Sequence, residues 1–112
     1  MKLTNTALIV SAFTVLVGCG PKESNITASS SAEDIYAQSC AGCHSGGLKG
    51  WLTGAPEVGD KEVWQPIIAK GVEPMTAITI AGVSKMPAKG GCDKCSEEQI
   101  KGVVELMADK SQ

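Results

Sequence analysis

The chain has no arginine, one histidine (His44), one tyrosine, one phenylalanine and two tryptophans in 112 residues. A single histidine excludes any site that needs two protein imidazoles, an iron held by two histidines among them. All ten basic residues are lysine and face twelve acidic ones, so no basic field is available for nucleic acid. No stretch alternates apolar and polar residues as a strand does, which makes the expected fold class all-α. One largely apolar run, Ala7 to Val17, is too short for a comfortable membrane span. Past residue 18 the only aromatics are Tyr36, Trp51 and Trp64, and a core that thin is marginal for a small domain.

Five cysteines stand against these shortages. Two of them sit in Cys40-Ala41-Gly42-Cys43-His44, the spacing of covalent haem attachment. The two thiols add to the vinyl groups of a haem, and His44 approaches the iron from the same side. One haem c is therefore the expected cofactor, and it supplies the bulk that the side chains lack. A structural zinc ion is the alternative, completed by Cys92 and Cys95 as thiolates, with or without His44.

With one histidine, the sixth iron ligand has to be a methionine, a lysine, water or nothing. Met107 falls on the apolar stripe of the last predicted helix and reads as core. Met75 follows Pro74 at the start of a helix, whereas Met86 lies in an irregular loop that Pro87 stiffens, so Met86 is the expected ligand and Met75 the reserve. A neutral thioether and a low-dielectric site both favour ferrous iron. Iron with two protein ligands has no position left for a small-molecule substrate, so the expected work is one-electron transfer rather than catalysis. Five-coordinate iron would instead make the chain a haem enzyme or gas sensor.

Lys2, the apolar run and Leu16-Val17-Gly18-Cys19 read as a lipoprotein signal over residues 1–18, with Cys19 lipidated as the mature N-terminus. Residues 19–30 have the Gly, Pro, Ser and Thr content of a flexible tether, with a reach on the order of 40 Å. Residues 31–112 form a single monohaem domain. The expected location is the periplasmic side of a bacterial membrane, with contact through the lipid.

Ser30-x-x-Glu33 and Ser31-x-x-Asp34 are overlapping capping boxes, so a helix should begin near residue 31 and deliver Cys40 and Cys43. Ser45 to Gly50 read as a loop. Asp60 caps a middle helix carrying Val63, Trp64, Ile67 and Ile68, with Pro66 as a break or kink and Gly71 as its stop. A shorter helix spans Met75 to Ala81. The last opens at Ser96-x-x-Gln99 and places Ile100, Val103, Val104 and Met107 on one face.

The haem motif, Gly54-Ala55-Pro56-Glu57-Val58-Gly59-Asp60 and the run from Met86 to Glu98 together resemble cytochrome c5, within the class I cytochromes c, from about Ile35 to Met107. The resemblance implies a class I cytochrome c fold of three to four helices. It implies thioethers at Cys40 and Cys43, axial ligands His44 and Met86, and a disulfide between Cys92 and Cys95. It also implies a carbonyl at Pro56 that accepts the second ring proton of His44, and Trp64 beside a haem propionate or as a core aromatic. Leu106 departs from the aromatic residue the family often carries in its last helix.

The implied function is a one-electron carrier, with a quinol-oxidising complex as donor and an oxidase, peroxidase or reductase as acceptor. The alternative is a fixed haem relay in such a complex. Lys49, Lys85 and Lys89 are candidates for a positive rim that steers docking.

Overall fold

The computed structural model describes residues 25–112. The signal at residues 1–18 and the lipidation site Cys19 lie outside the described residues.

Among the described residues, five helices and a short 3-10 turn at Ala88–Gly91 make up the fold. Helix α1 covers residues 32–44 in three consecutive parts, an α-helical start at Ala32–Ile35, a π-helical turn at Tyr36–Cys40 and an α-helical end at Ala41–His44. Ser31 caps it through a complete capping box with Asp34. The wide turn at Tyr36–Cys40, where the amide of Ala41 donates to the carbonyl of Tyr36, lies immediately before the Cys-x-x-Cys-His segment. Helix α2 is Gly47–Thr53, α3 is Lys61–Ile68, α4 is Val72–Ala81 and α5 is Glu97–Asp109. No strand occurs among the described residues, and the single bridge, between Val83 and Met86, closes a tight turn.

Two elements differ from expectation. The glycine-rich segment after His44 is helical, which makes five helices where three to four were expected. Helix α2 forms because it packs on the first helix through Gly50, where an added Cβ would stand 2.6 Å from the carbonyl oxygen of Cys43. Within the expected tether at residues 19–30, Ile26 and Thr27 contact the domain. Ile26 is buried, and the Gln99 amide donates to the carbonyl of Thr27 over 2.9 Å. Among the described residues, packing against α5 thus extends upstream of Ser31 to Ile26.

The middle helix starts on Asp60, whose carboxylate accepts from the amide of Val63, and it runs through Pro66 without stopping. Its cap is Ala69, and Gly71 instead precedes α4, which begins three residues earlier than expected, at Val72. Val63, on this helix, is exposed. The α5 stripe is as its periodicity demands: Ile100, Val103, Val104 and Met107 are all buried. Gly102 brings α5 onto α1, where an added Cβ would meet Ala32 at 3.9 Å. Helices α1, α4 and α5 thus form one packed group, and α2, α3 and the 83–91 segment surround the haem motif.

Candidate functional site

Cys40, Cys43 and His44 occupy the last turn of α1, and this end of the helix opens on two adjoining cavities of about 200 and 270 Å³. Cys40, His44, Val83 and Met86 line both. The larger cavity is walled by the apolar face of α5, with Ile100, Val103, Val104 and Met107, and by Met75 and Trp64. A flat, mostly apolar group fits a space so lined. A further sign is the open point above Gly90, where an added Cβ would stand 3.8 Å from Cys40 Sγ and 3.9 Å from Met86 Cε. The motif cysteine and the loop methionine therefore face the same small volume.

His44 is buried, and its Nδ1 lies 2.9 Å from the carbonyl oxygen of Pro56. That contact fixes the tautomer with the proton on Nδ1 and leaves Nε2 as the nitrogen able to bind a metal. The same segment returns to the His44 backbone, since the amide of Val58 donates to the carbonyl of His44 over 2.8 Å. The ring is thus oriented from its side chain and its main chain together. Burial, and secondarily the charge on Cys43, pushes the Cys40 thiol up to about 11. A thiol held neutral is the opposite of the low-pKa thiolate of a redox-active dithiol. Among the described residues no cluster of histidine, cysteine and carboxylate is arranged to hold a metal ion.

Met86 is held by main-chain pairing rather than by Pro87 alone. Its amide donates to the carbonyl of Val83 over 2.9 Å, and its carbonyl accepts from the amide of Val83 over 3.0 Å. Gly82 enters this turn at φ +80°, and an added Cβ would stand 2.7 Å from the amide nitrogen of Ala88 and 2.9 Å from the carbonyl oxygen of Met86. Gly82→Ala is expected to displace the Met86 turn, costing on the order of 1–3 kcal/mol in stability from the positive φ and the backbone clash. Thermal denaturation of the variant measures this, and an unchanged midpoint contradicts it.

Met75 is buried on α4 and Met107 on α5. Both line the larger cavity only, whereas Met86 lines both. Trp64 is buried against the same cavity, and its indole N–H donates to the carbonyl of Glu57 over 2.7 Å, so that proton is already committed to the main chain. Cys92 and Cys95 are buried and joined through their sulfurs, with Cα atoms 5.4 Å apart, just before the Ser96 cap of α5.

The lysines are tied down locally. Lys85 donates to the carbonyl of Leu52 and Lys89 to that of Cys95, while Lys49 Nζ lies over Gly42. What sequence reasoning missed is the apolar character of α2. Leu48 is 72% exposed and Trp51 78% exposed, on the same helix as Thr53, which lines the smaller cavity. No helix among the described residues is long and apolar enough to cross a membrane.

A family model described as cytochrome C oxidase, cbb3-type, subunit III, matches residues 27–107. Cytochrome c-555 of Chlorobaculum thiosulfatiphilum is 44% identical over 80 residues, covering 68% of this chain and 88% of that protein. Cytochrome c5 of Ectopseudomonas mendocina is 34% identical over 80 residues, covering 70% and 87%. A chain from the crystal structure of an electron transfer complex of nitrite reductase with cytochrome c superimposes with a TM-score of 0.66 at 31% identity, covering 72% of this chain and 94% of that one. A haem-attachment motif at the head of an apolar cavity, together with relatives matched over most of their length, places the chain in the cytochrome c family, as a cytochrome c5-like class I electron-transfer protein that carries covalently bound haem c and is not an enzyme.

Proposed function

We propose that His44 and Met86 are the axial ligands of a single haem c joined through thioethers to Cys40 and Cys43, and that the chain is a diffusing one-electron carrier. The observation that carries this reading is the pair of cavities that His44, Met86 and Cys40 line in common. The bound haem supplies a ferric/ferrous couple. Pro56 engages the Nδ1 proton of His44 and orients the ring with Nε2 toward the iron, and the Val83 pairing holds the thioether of Met86 against loss to water. The apolar wall from α4 and α5 excludes water and disfavours the ferric charge. The bond between Cys92 and Cys95 pins the end of the Met86 loop to the start of α5. The ferric near-infrared spectrum tests the ligand set: a weak sulfur-to-iron band is expected, and a high-spin spectrum at neutral pH contradicts it.

Redox proteins are the partners in this reading, with a quinol-oxidising complex as donor and a terminal oxidase, peroxidase or reductase as acceptor. The similar chain from a complex with nitrite reductase makes a nitrite reductase the first acceptor to assay. The exposed face of α2 is where such a partner docks, because Leu48, Trp51 and Leu52 present apolar surface on the helix whose Thr53 lines the smaller cavity, flanked by the cations Lys49 and Lys85. Trp51→Ala should slow electron transfer to a nitrite reductase by about tenfold, as expected for a central aromatic anchor. The rate with ferricyanide and the melting temperature should stay at wild-type values, since Trp51 is 78% exposed. An unchanged protein–protein rate would remove α2 from the docking face.

The lipobox ending at Cys19 supports a lipid-anchored protein on the periplasmic side of a bacterial membrane, with residues 1–18 removed. Intact mass of the membrane fraction, with and without Cys19→Ser, measures the acylation. A second reading, a fixed haem relay in a larger complex, is favoured by the description of the matching family model. Co-purification with an oxidase after mild detergent extraction supports it, and recovery as an isolated lipoprotein contradicts it.

A further inference from the structure

The penultimate residue of the chain is 1% exposed, although both of its neighbours, Lys110 and Gln112, are exposed. Ser111 lies just past the end of α5, and its hydroxyl has two partners. It donates to the carbonyl of Met107 over 2.8 Å and accepts from the amide of Gly59, 52 residues away in sequence, over 2.9 Å. Gly59 ends the segment whose other main-chain groups bond to His44 and Trp64. The carbonyl of Pro56 meets His44 Nδ1, that of Glu57 meets the Trp64 indole, and the amide of Val58 meets the carbonyl of His44. The first three ties are made within the segment's own neighbourhood. The fourth is the one that anchors it to the last helix.

We propose that Ser111 is a positioning residue for the iron, its hydroxyl latching residues 56–59 to the end of α5 so that the Pro56 carbonyl holds the His44 imidazole. This rests on the reading that His44 ligates iron. Removing the hydroxyl leaves the part-buried Gly59 amide without its partner, and the segment relaxes toward another acceptor. The Pro56 carbonyl moves with it. A weaker Nδ1–H···O bond makes the imidazole a poorer donor to iron, which disfavours the ferric state and raises the potential.

The test uses the haem-loaded protein, with two readouts: exchange of the His44 Nδ1 proton into D2O, followed by NMR, and the midpoint potential. Ser111→Ala should speed the exchange on the order of tenfold, the weight of one hydrogen bond, and raise the potential. Ser111→Thr, which keeps the hydroxyl, should restore both. Ile26→Ala removes buried packing at the opposite end of α5, so it should lower the melting temperature and leave both readouts unmoved. Wild-type exchange and potential in Ser111→Ala would overturn the latch, as would an equal acceleration in Ile26→Ala. Should the alanine variant fail to accumulate, Ser111→Cys keeps the shape with a weaker acceptor and should give an intermediate acceleration, its absence again counting against the proposal. A wild-type Nδ1 proton without a paramagnetic shift overturns the ligation reading and the latch together. A shifted proton that Ser111→Ala leaves unmoved overturns the latch alone.

Discussion

Replacing Cys40 and Cys43 together with alanine is expected to give a chain that carries no covalent haem and does not hold its helical structure at 25 °C. The reason lies in where the apolar side chains point. Ile100, Val103, Val104 and Met107 form the apolar stripe of the last helix, yet all four line the larger cavity. Without a porphyrin they face water or vacuum instead of carbon. At about 24 cal/mol per Å³, cavities of about 200 and 270 Å³ cost on the order of 10 kcal/mol, an upper figure because both open to solvent. That equals the whole stability of an ordinary domain, about 5–15 kcal/mol. The remaining contacts among α1, α4 and α5 cannot offset it. Far-UV circular dichroism with haem staining after denaturing electrophoresis measures both parts. A haem-free variant with the wild-type helical signal would contradict the argument.

Met86→Ala is expected to keep the covalent haem and lose the carrier's potential. The thioethers at Cys40 and Cys43 do not involve Met86, so attachment and fold survive. What changes is the sixth position. The Val83–Met86 turn keeps its main-chain pairing in the variant but presents no sulfur, so the position is left to water entering from solvent. Loss of a neutral, soft ligand stabilises the ferric state, and the potential should fall by on the order of a few hundred millivolts, within the range that axial ligands command. The near-infrared sulfur band should vanish at the same time. Met75→Ala, by contrast, removes a buried core side chain, so it should lower thermal stability by about 2–5 kcal/mol and leave the band in place. If the band survives in Met86→Ala and disappears in Met75→Ala, the two methionines have exchanged roles.

Much of this was legible in the sequence because the signals were local. Two capping boxes, at Ser31 and Ser96, fix the starts of the terminal helices through side chains only three residues apart. The α5 stripe follows from the helical period, and the haem motif is a spacing of five residues. Helix α2 was not legible, for the opposite reason. It is rich in glycine and its cap Gly46 makes no side-chain hydrogen bond, and although Leu48, Trp51 and Leu52 fall at i, i+3 and i+4, so short a run is outweighed by the low helix propensity of the glycines around it. It is helical because Gly50 lets it lie against the Cys43 carbonyl, a contact between two helices that one-dimensional patterning does not contain. Ile26 was hidden in the same way, an isolated apolar residue in a polar stretch whose burial depends on α5 standing beside it. Ser111 carried no signal at all, because a terminal serine reads as solvent-exposed until Gly59 is placed against it.

The most direct test is X-ray absorption at the iron edge of the purified ferric protein. Iron bound by His44 and Met86 should show five nitrogen scatterers and one sulfur. A first shell of nitrogen and oxygen alone, with no sulfur, would contradict it.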